Sequence, residues 1–154
     1  MHITKIGKRG LDLIKSFEGF SSKPYLCPAN VPTIGYGATY YPNGKRVTLS
    51  DKHITEEEGS ALLLVTLAQY EKDVDSMTRD DINQQMYDSL CSFSYNLGSN
   101  ALRKSTLLKK VNANPNDPLI KDEFMKWVNA GGRKLSGLVK RREAESKLYF
   151  DLAY

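Results

Sequence analysis

Residues 18–37, EGFSSKPYLCPANVPTIGYG, cannot be a helix: Pro24, Pro28 and Pro32 each lack an amide donor, and Gly19, Gly35 and Gly37 punctuate the stretch. Before it, Leu11, Ile14 and Glu18 recur three and four apart, with Leu13 and Phe17 widening the stripe. This predicts a helix over 10–18 that stops at Gly19, a residue tolerant of positive φ. Glu18 therefore sits on the apolar stripe at the helix end. The proline-rich part reads as a stiff loop. Residues 33–41 alternate and are rich in β-branched and aromatic side chains, and Pro42-Asn43-Gly44 signals a turn, so 45–49 is expected to return antiparallel.

Helical patterns occupy the rest. Thr55 and Glu58 form a capping box ahead of an apolar run, predicting a helix that continues to Met77. Ile82, Met86, Leu90, Phe93 and Leu97 mark a second helix closed by Gly98, and a shorter one covers 106–111. Residues 114–118 break the pattern. Asp117 before Pro118 reads as the start of a helix running through Phe124, Trp127 and Val128 to Gly131-Gly132. Ser136 is expected to cap the last helix, on which Leu138, Arg142, Glu145 and Leu148 share a face. The outline is α+β: an N-terminal helix and a small antiparallel hairpin packed on a predominantly helical bundle. At 154 residues one core suffices. The expected organisation is a single domain over 1–154, with a small β-rich lobe over 19–54 and a helical lobe over 55–154 that also takes the N-terminal helix.

A formal charge of +4 is mild and favours polyanionic partners in general, whether nucleic acid, anionic lipid or bacterial wall polymer. The compact basic group Lys140-Arg141-Arg142 reads either as a solvated helix face or as a surface drawn to anionic wall and membrane. Cys27 and Cys91 have no metal-site spacing and are expected to be free thiols, with Cys91 filling core. His2 and His53 lack a partner pattern, so no metal is expected. The N-terminal segment has no apolar signal region and no run reaches membrane-spanning length, so the chain is expected to be made soluble in the cytoplasm, without stable membrane insertion.

A general acid is a carboxyl kept protonated near neutral pH, and partial desolvation together with the negative end of a helix dipole favours that form. Glu18 has both features in prospect. No other Asp or Glu occurs before Asp51, so a second carboxylate is missing from the neighbourhood. Cys27, with an ordinary pKa of about 8.5, would be largely uncharged near neutral pH unless something lowers it.

The spacing of Glu18, eight residues, Cys27, five residues, Thr33, followed by Ile34-Gly35-Tyr36-Gly37, resembles the active-site pattern of the phage lysozymes and endolysins of glycoside hydrolase family 24. In that pattern the middle position is an aspartate or, in some members, a cysteine. The words Ser92-Phe93-Ser94-Tyr95-Asn96-Leu97-Gly98, Trp127 with Gly131-Gly132, and Gly137-Leu138-Val139 with Arg141-Arg142-Glu143 resemble further blocks of the same family in the same order. The resemblance implies a lysozyme-like fold with no cofactor, hydrolysing peptidoglycan glycan strands as a monomer. It implies that Glu18 protonates the leaving oxygen of the β-1,4 link between N-acetylmuramic acid and N-acetylglucosamine, and that Thr33 holds the attacking water. Cys27 then acts as a thiolate, as a weak polar group positioning water, or only as filler. Asn96 either hydrogen-bonds sugar N-acetyl groups or caps its helix, Tyr36 is a candidate substrate contact, and Trp127 reads as core. Release to the wall would depend on a separate membrane-perforating protein. A lytic transglycosylase on the same bond, or a basic wall-binding module without catalysis, are the competing readings.

Overall fold

A computed structural model of the chain describes residues 2–151. The elements in order are α1 (Lys8–Glu18), β1 (Ser21–Leu26), β2 (Pro32–Gly35), α2 (Glu56–Met77), α3 (Gln84–Leu97), α4 (Ser99–Lys104), α5 (Thr106–Ala113), α6 (Ile120–Phe124), β3 (Asn129–Ala130), β4 (Arg133–Lys134) and α7 (Ser136–Tyr149). The mixed, mainly helical outline read from the sequence is present. Contacts group the chain into two units, residues 14–69 and residues 1–13 with 70–154.

In the first unit β1 and β2 pair antiparallel, with Tyr25 opposite Thr33, Leu26 opposite Pro32 and Ser21 opposite Gly35. The expected hairpin of 33–41 with 45–49 is corrected. Its first strand ends at Gly35, Ile34 bridges Ala38 within the segment itself, and the return of 45–49 is reduced to one antiparallel bridge, Tyr40 with Arg46, flanked by the Tyr41 amide on the Lys45 carbonyl and the Val47 amide on the Thr39 carbonyl, each at 2.9 Å. The segment read as a proline loop supplies the true partner, β1. Pro24 is tolerated there because the register slips between Ser21 and Tyr25, the kind of irregularity at which a missing amide donor breaks no ladder bond. Ile34, Ala38, Val47 and Leu62 form the small core of this unit. The capping box is realised in full: the Thr55 amide donates to Glu58 Oε1 at 2.9 Å and the Glu58 amide to Thr55 Oγ1 at 3.1 Å. The Thr48 hydroxyl and amide both bind Asp51, and with the Tyr41 hydroxyl they hold its carboxyl below the usual range.

The second unit buries a core of Val74, Ile82, Leu90, Phe93, Leu107, Ile120, Phe124 and Tyr149, with Trp127 packed against it. Cys91 lies in it with no exposure, as core filling. The start of α1 has no acidic residue of its own, and Asp88 on α3 serves instead, accepting from Gly7 and Gly10 amides at 2.9 and 3.1 Å. Gly10 is required by this approach, since a Cβ there would stand 2.7 Å from the Asp88 Cβ. His2 stands against the carboxylates of Asp75 and Asp80.

Three helical expectations change. Residues 99–104, outside every expected helix, form α4. The helix launched at Asp117 is shorter than expected, covering Ile120–Phe124, because the Lys126 and Trp127 amides turn back to Glu123 and Phe124 carbonyls and the Trp127 ring meets Phe93 edge-on at 5.5 Å. Gly131-Gly132 then joins the two-residue strands β3 and β4. Ser136 is the first residue of α7 and caps nothing; the extended residue before it is Leu135.

Candidate active site

α1 delivers Glu18 as its last residue, half-buried, and Gly19 ends the helix with φ +70 while its amide donates to the Lys15 carbonyl at 3.0 Å. A side chain at Gly19 would have space but not an unstrained backbone, so the turn that leaves Glu18 at a helix end depends on glycine.

Cys27 sits at the mouth of the β1–β2 connection, and its local sequence explains the shape. Cys27 accepts from the Asn30 amide at 2.8 Å, and its own amide donates to the Val31 carbonyl at 3.1 Å. Pro28 supplies the φ that the first central position of such a turn favours, and Asn30 takes the left-handed conformation at φ 61 that closes a three-residue loop. Asparagine is among the few side chains that tolerate this region. The turn points the amides of Val31 and Ala29 at Cys27 Sγ, and the Thr33 hydroxyl is also in reach of the sulfur. The two amides hold the thiol below its ordinary value, against a smaller upward push from desolvation. Cys91 is the opposite case, since burial and then the charges of Asp88 and Glu71 push its thiol well up. Iodoacetamide near neutral pH is therefore expected to label Cys27 and spare Cys91, as read by peptide mass mapping of the folded protein. Equal labelling of the two would contradict this environment.

Thr33 is buried at 3% exposure in β2, and its hydroxyl donates to the Val31 carbonyl at 2.8 Å. In that arrangement the single hydroxyl proton is used and the oxygen lone pairs are left as acceptors. Tyr25 stands across the strand pair from Thr33. Its phenol is pushed up by desolvation and then by the charges of Glu18 and Cys27, which places both in its neighbourhood. Glu18, Cys27 and Thr33 thus share one unit and one electrostatic environment. Tyr25 was not singled out from sequence; its only signal was alternation in a segment read as loop.

Tyr36 lies in the same unit, 7% exposed, its ring 5.4 Å from Phe20 and the Lys15 ammonium 5.4 Å from its centroid. Asn96 belongs to the other unit, in the last turn of α3. It does not cap the helix; its Oδ1 accepts from Arg142 Nη2 at 2.5 Å. The reading of Arg141 and Arg142 as a solvated or wall-facing basic patch is corrected. Both are buried, at 4% and 0% exposure, and only Lys140 of the three is exposed. The physical reason is Glu145, fully buried one turn on: Arg142 Nε stands 2.8 Å from its Oε1, Arg141 Nε 3.4 Å from its Oε2, and Ser92 Oγ donates to Oε2 at 2.5 Å. Burial pushes the Glu145 carboxyl up and the Arg142 guanidinium down, against the pull of their pairing. The available signal was a pair of charges on the same helical stripe as Leu138 and Leu148.

Residues 15–145 match the Phage lysozyme family model, a span that includes every site residue named above. The chain is 40% identical over 148 residues to the endolysin of Bacillus phage B103, covering 94% of this chain and 53% of that protein, so it spans about half the length of that relative. It is 39% identical over 153 residues to the endolysin of Acyrthosiphon pisum secondary endosymbiont phage 1, covering 97% of this chain and 98% of that one. Among solved structures, the endolysin from Escherichia coli O157:H7 phage FAHEc1 superposes with a TM-score of 0.87 at 32% identity, covering 97% and 96% of the two chains. With the family model spanning most of the sequence and relatives of this identity, the chain belongs to the phage lysozyme family.

Proposed function

We propose that this protein is a muramidase of the endolysin type, hydrolysing the β-1,4 link between N-acetylmuramic acid and N-acetylglucosamine in peptidoglycan, with Glu18 as general acid. The observation that carries the reading is the placement of Glu18 at the end of α1 in the same electrostatic neighbourhood as Cys27, with Thr33 beside the sulfur. Glu18 protonates the glycosidic oxygen as the C–O bond breaks, and charge builds at the anomeric carbon. Thr33, its proton committed to the Val31 carbonyl, accepts a hydrogen bond from a water and holds that oxygen toward the carbon; as the new C–O bond forms the added water loses its proton to solvent, and attack from that side favours inversion. Of the three accounts of Cys27, the thiolate is the one supported by the amides of Val31 and Ala29, both of which favour the anion. A negative sulfur beside the reacting carbon replaces part of the electrostatic stabilisation that a second carboxylate would give. Tyr36, nearly covered, serves in this reading to hold Phe20 and Lys15 around the end of α1.

The test is product analysis on purified wall. Proton NMR of the first reducing ends released is expected to show the inverted anomer. Retention would favour a Cys27 nucleophile, and an anhydro product, one water lighter by mass spectrometry, would favour transglycosylation. An inert protein would leave the wall-binding reading, to which the burial of Arg141 and Arg142 lends no basic surface. No described helix is long and apolar enough to cross a membrane, and release to the wall is proposed to depend on a separate membrane-perforating protein.

A further inference from the structure

Residues 3–6 are tied down on the second unit at every step. Ile3 and Ile6 pack against its core, and the Thr4 carbonyl accepts from the Tyr87 hydroxyl at 3.0 Å. The Lys5 carbonyl accepts from Gln84 Nε2 at 2.8 Å, and the Ile6 amide donates to Glu71 Oε2 at 2.7 Å. This anchorage sets His2 beside the C-terminal part of α2, where its Nε2 meets Asp75 Oδ1 directly and lies 3.2 Å from Asp80 Oδ1. We propose that His2, Asp75 and Asp80 are the protein ligands of a divalent transition-metal ion of the zinc class, which clips the N-terminal segment to the end of α2. All three residues belong to the one unit.

The donor set is the first support. One imidazole nitrogen with two carboxylate oxygens suits Zn²⁺, Co²⁺ or Ni²⁺ better than Mg²⁺ or Ca²⁺, which take oxygen ligands. Geometry is the second. Ligands of such an ion sit about 2.0–2.2 Å from it, and so about 3.4 Å from each other in a tetrahedron and at most about 4.4 Å apart in any arrangement. The three ligand atoms here all lie within 4.8 Å of one another, so closing on an ion is within the reach of side-chain rotation.

Charge balance is the third. A ring nitrogen carries one proton or one lone pair, so it cannot satisfy two carboxylates at once. Among the described residues neither carboxylate has a lysine or arginine partner. Arg79, adjacent to Asp80, is committed to Asp81 and to the Asn112 and Ala113 carbonyls, and these contacts also hold the turn that carries Asp80. A dication among the three side chains balances both carboxylates, and neutral imidazole binds it through the nitrogen lone pair. Positions 2, 75 and 80 have no motif spacing, which is why the site is invisible in the sequence.

The test uses the whole chain, freed of metal with a chelator and titrated with zinc chloride, read by calorimetry and by thermal melting. One zinc ion is expected to bind per chain. At a hundredfold excess over Kd the melting temperature is expected to rise by about 5–10 °C, with no such rise from Mg²⁺. Asp80→Asn, an isosteric change at an exposed position, and His2→Ala should each weaken zinc binding roughly tenfold or more and remove most of the thermal shift. His53→Ala and Cys27→Ser remove the other accessible zinc-seeking side chains and should leave both readouts unchanged. X-ray absorption at the zinc edge is expected to show nitrogen and oxygen neighbours only. Absence of saturable zinc binding overturns the proposal. So does binding that survives in both His2→Ala and Asp80→Asn, a sulfur neighbour on the ion, or an equal thermal shift with Mg²⁺.

Discussion

Glu18→Gln is expected to cut turbidity clearance of permeabilised bacteria by about 10²–10⁴-fold, the usual weight of a general acid. The melting temperature should move by no more than about 2 °C, because the substitution is isosteric at a half-buried helix end. An amide keeps the shape and most hydrogen bonding of the carboxyl but has no proton to give to the leaving oxygen. Cys27→Ser sets the contrast. A serine oxygen accepts the same amides of Val31 and Ala29 and stays neutral, so the turn is preserved and only the negative charge is lost. A roughly tenfold loss is expected there, the size of one charge-assisted contact. Equal losses in the two variants would make Cys27 an obligatory nucleophile or base, and the released anomer would decide which.

Glu145→Gln is expected to lower stability by about 3–5 kcal/mol, since it leaves two buried guanidiniums without their shared counter-charge. For a chain of this size that is a fall of roughly 6–20 °C in melting temperature. The amide can still receive the Ser92 hydroxyl, so the loss measures charge rather than shape. Arg142→Leu combined with Glu145→Leu should be much less harmful than Glu145→Gln, because a buried pair replaced by apolar groups removes its own desolvation. Denaturant melts of the three proteins check this. If the double variant were the worst of the set, the network would have to be holding the helices together rather than merely balancing its own charges.

What could be read from the sequence was what is decided locally. The Thr55–Glu58 box needs only four consecutive residues to form, and it forms as expected. The stop at Gly19 and the closure of α3 at Gly98 are likewise set by one residue each. The spacing of Glu18, Cys27 and Thr33 was legible because one helix end and one hairpin carry all three. β1 was not, since three prolines argue against a strand unless the register is allowed to slip at one of them. The end of α6 was not legible either, because Trp127 is drawn out of helix by a ring that comes from α3, thirty-odd residues earlier. Arg141 and Arg142 misled for a related reason. Adjacent arginines look like surface until the carboxylate that pays for their burial is recognised one turn away.

The turn at Cys27 has one more consequence. Its donors are main-chain amides, set by Pro28 and by the left-handed Asn30, and main-chain amides do not depend on which side chain they serve. The backbone has therefore built a socket for an anion and left the identity of the anion to a single position. The same amides can serve a sulfur or a carboxylate at position 27, so the charge of this site can be exchanged by one substitution within one turn.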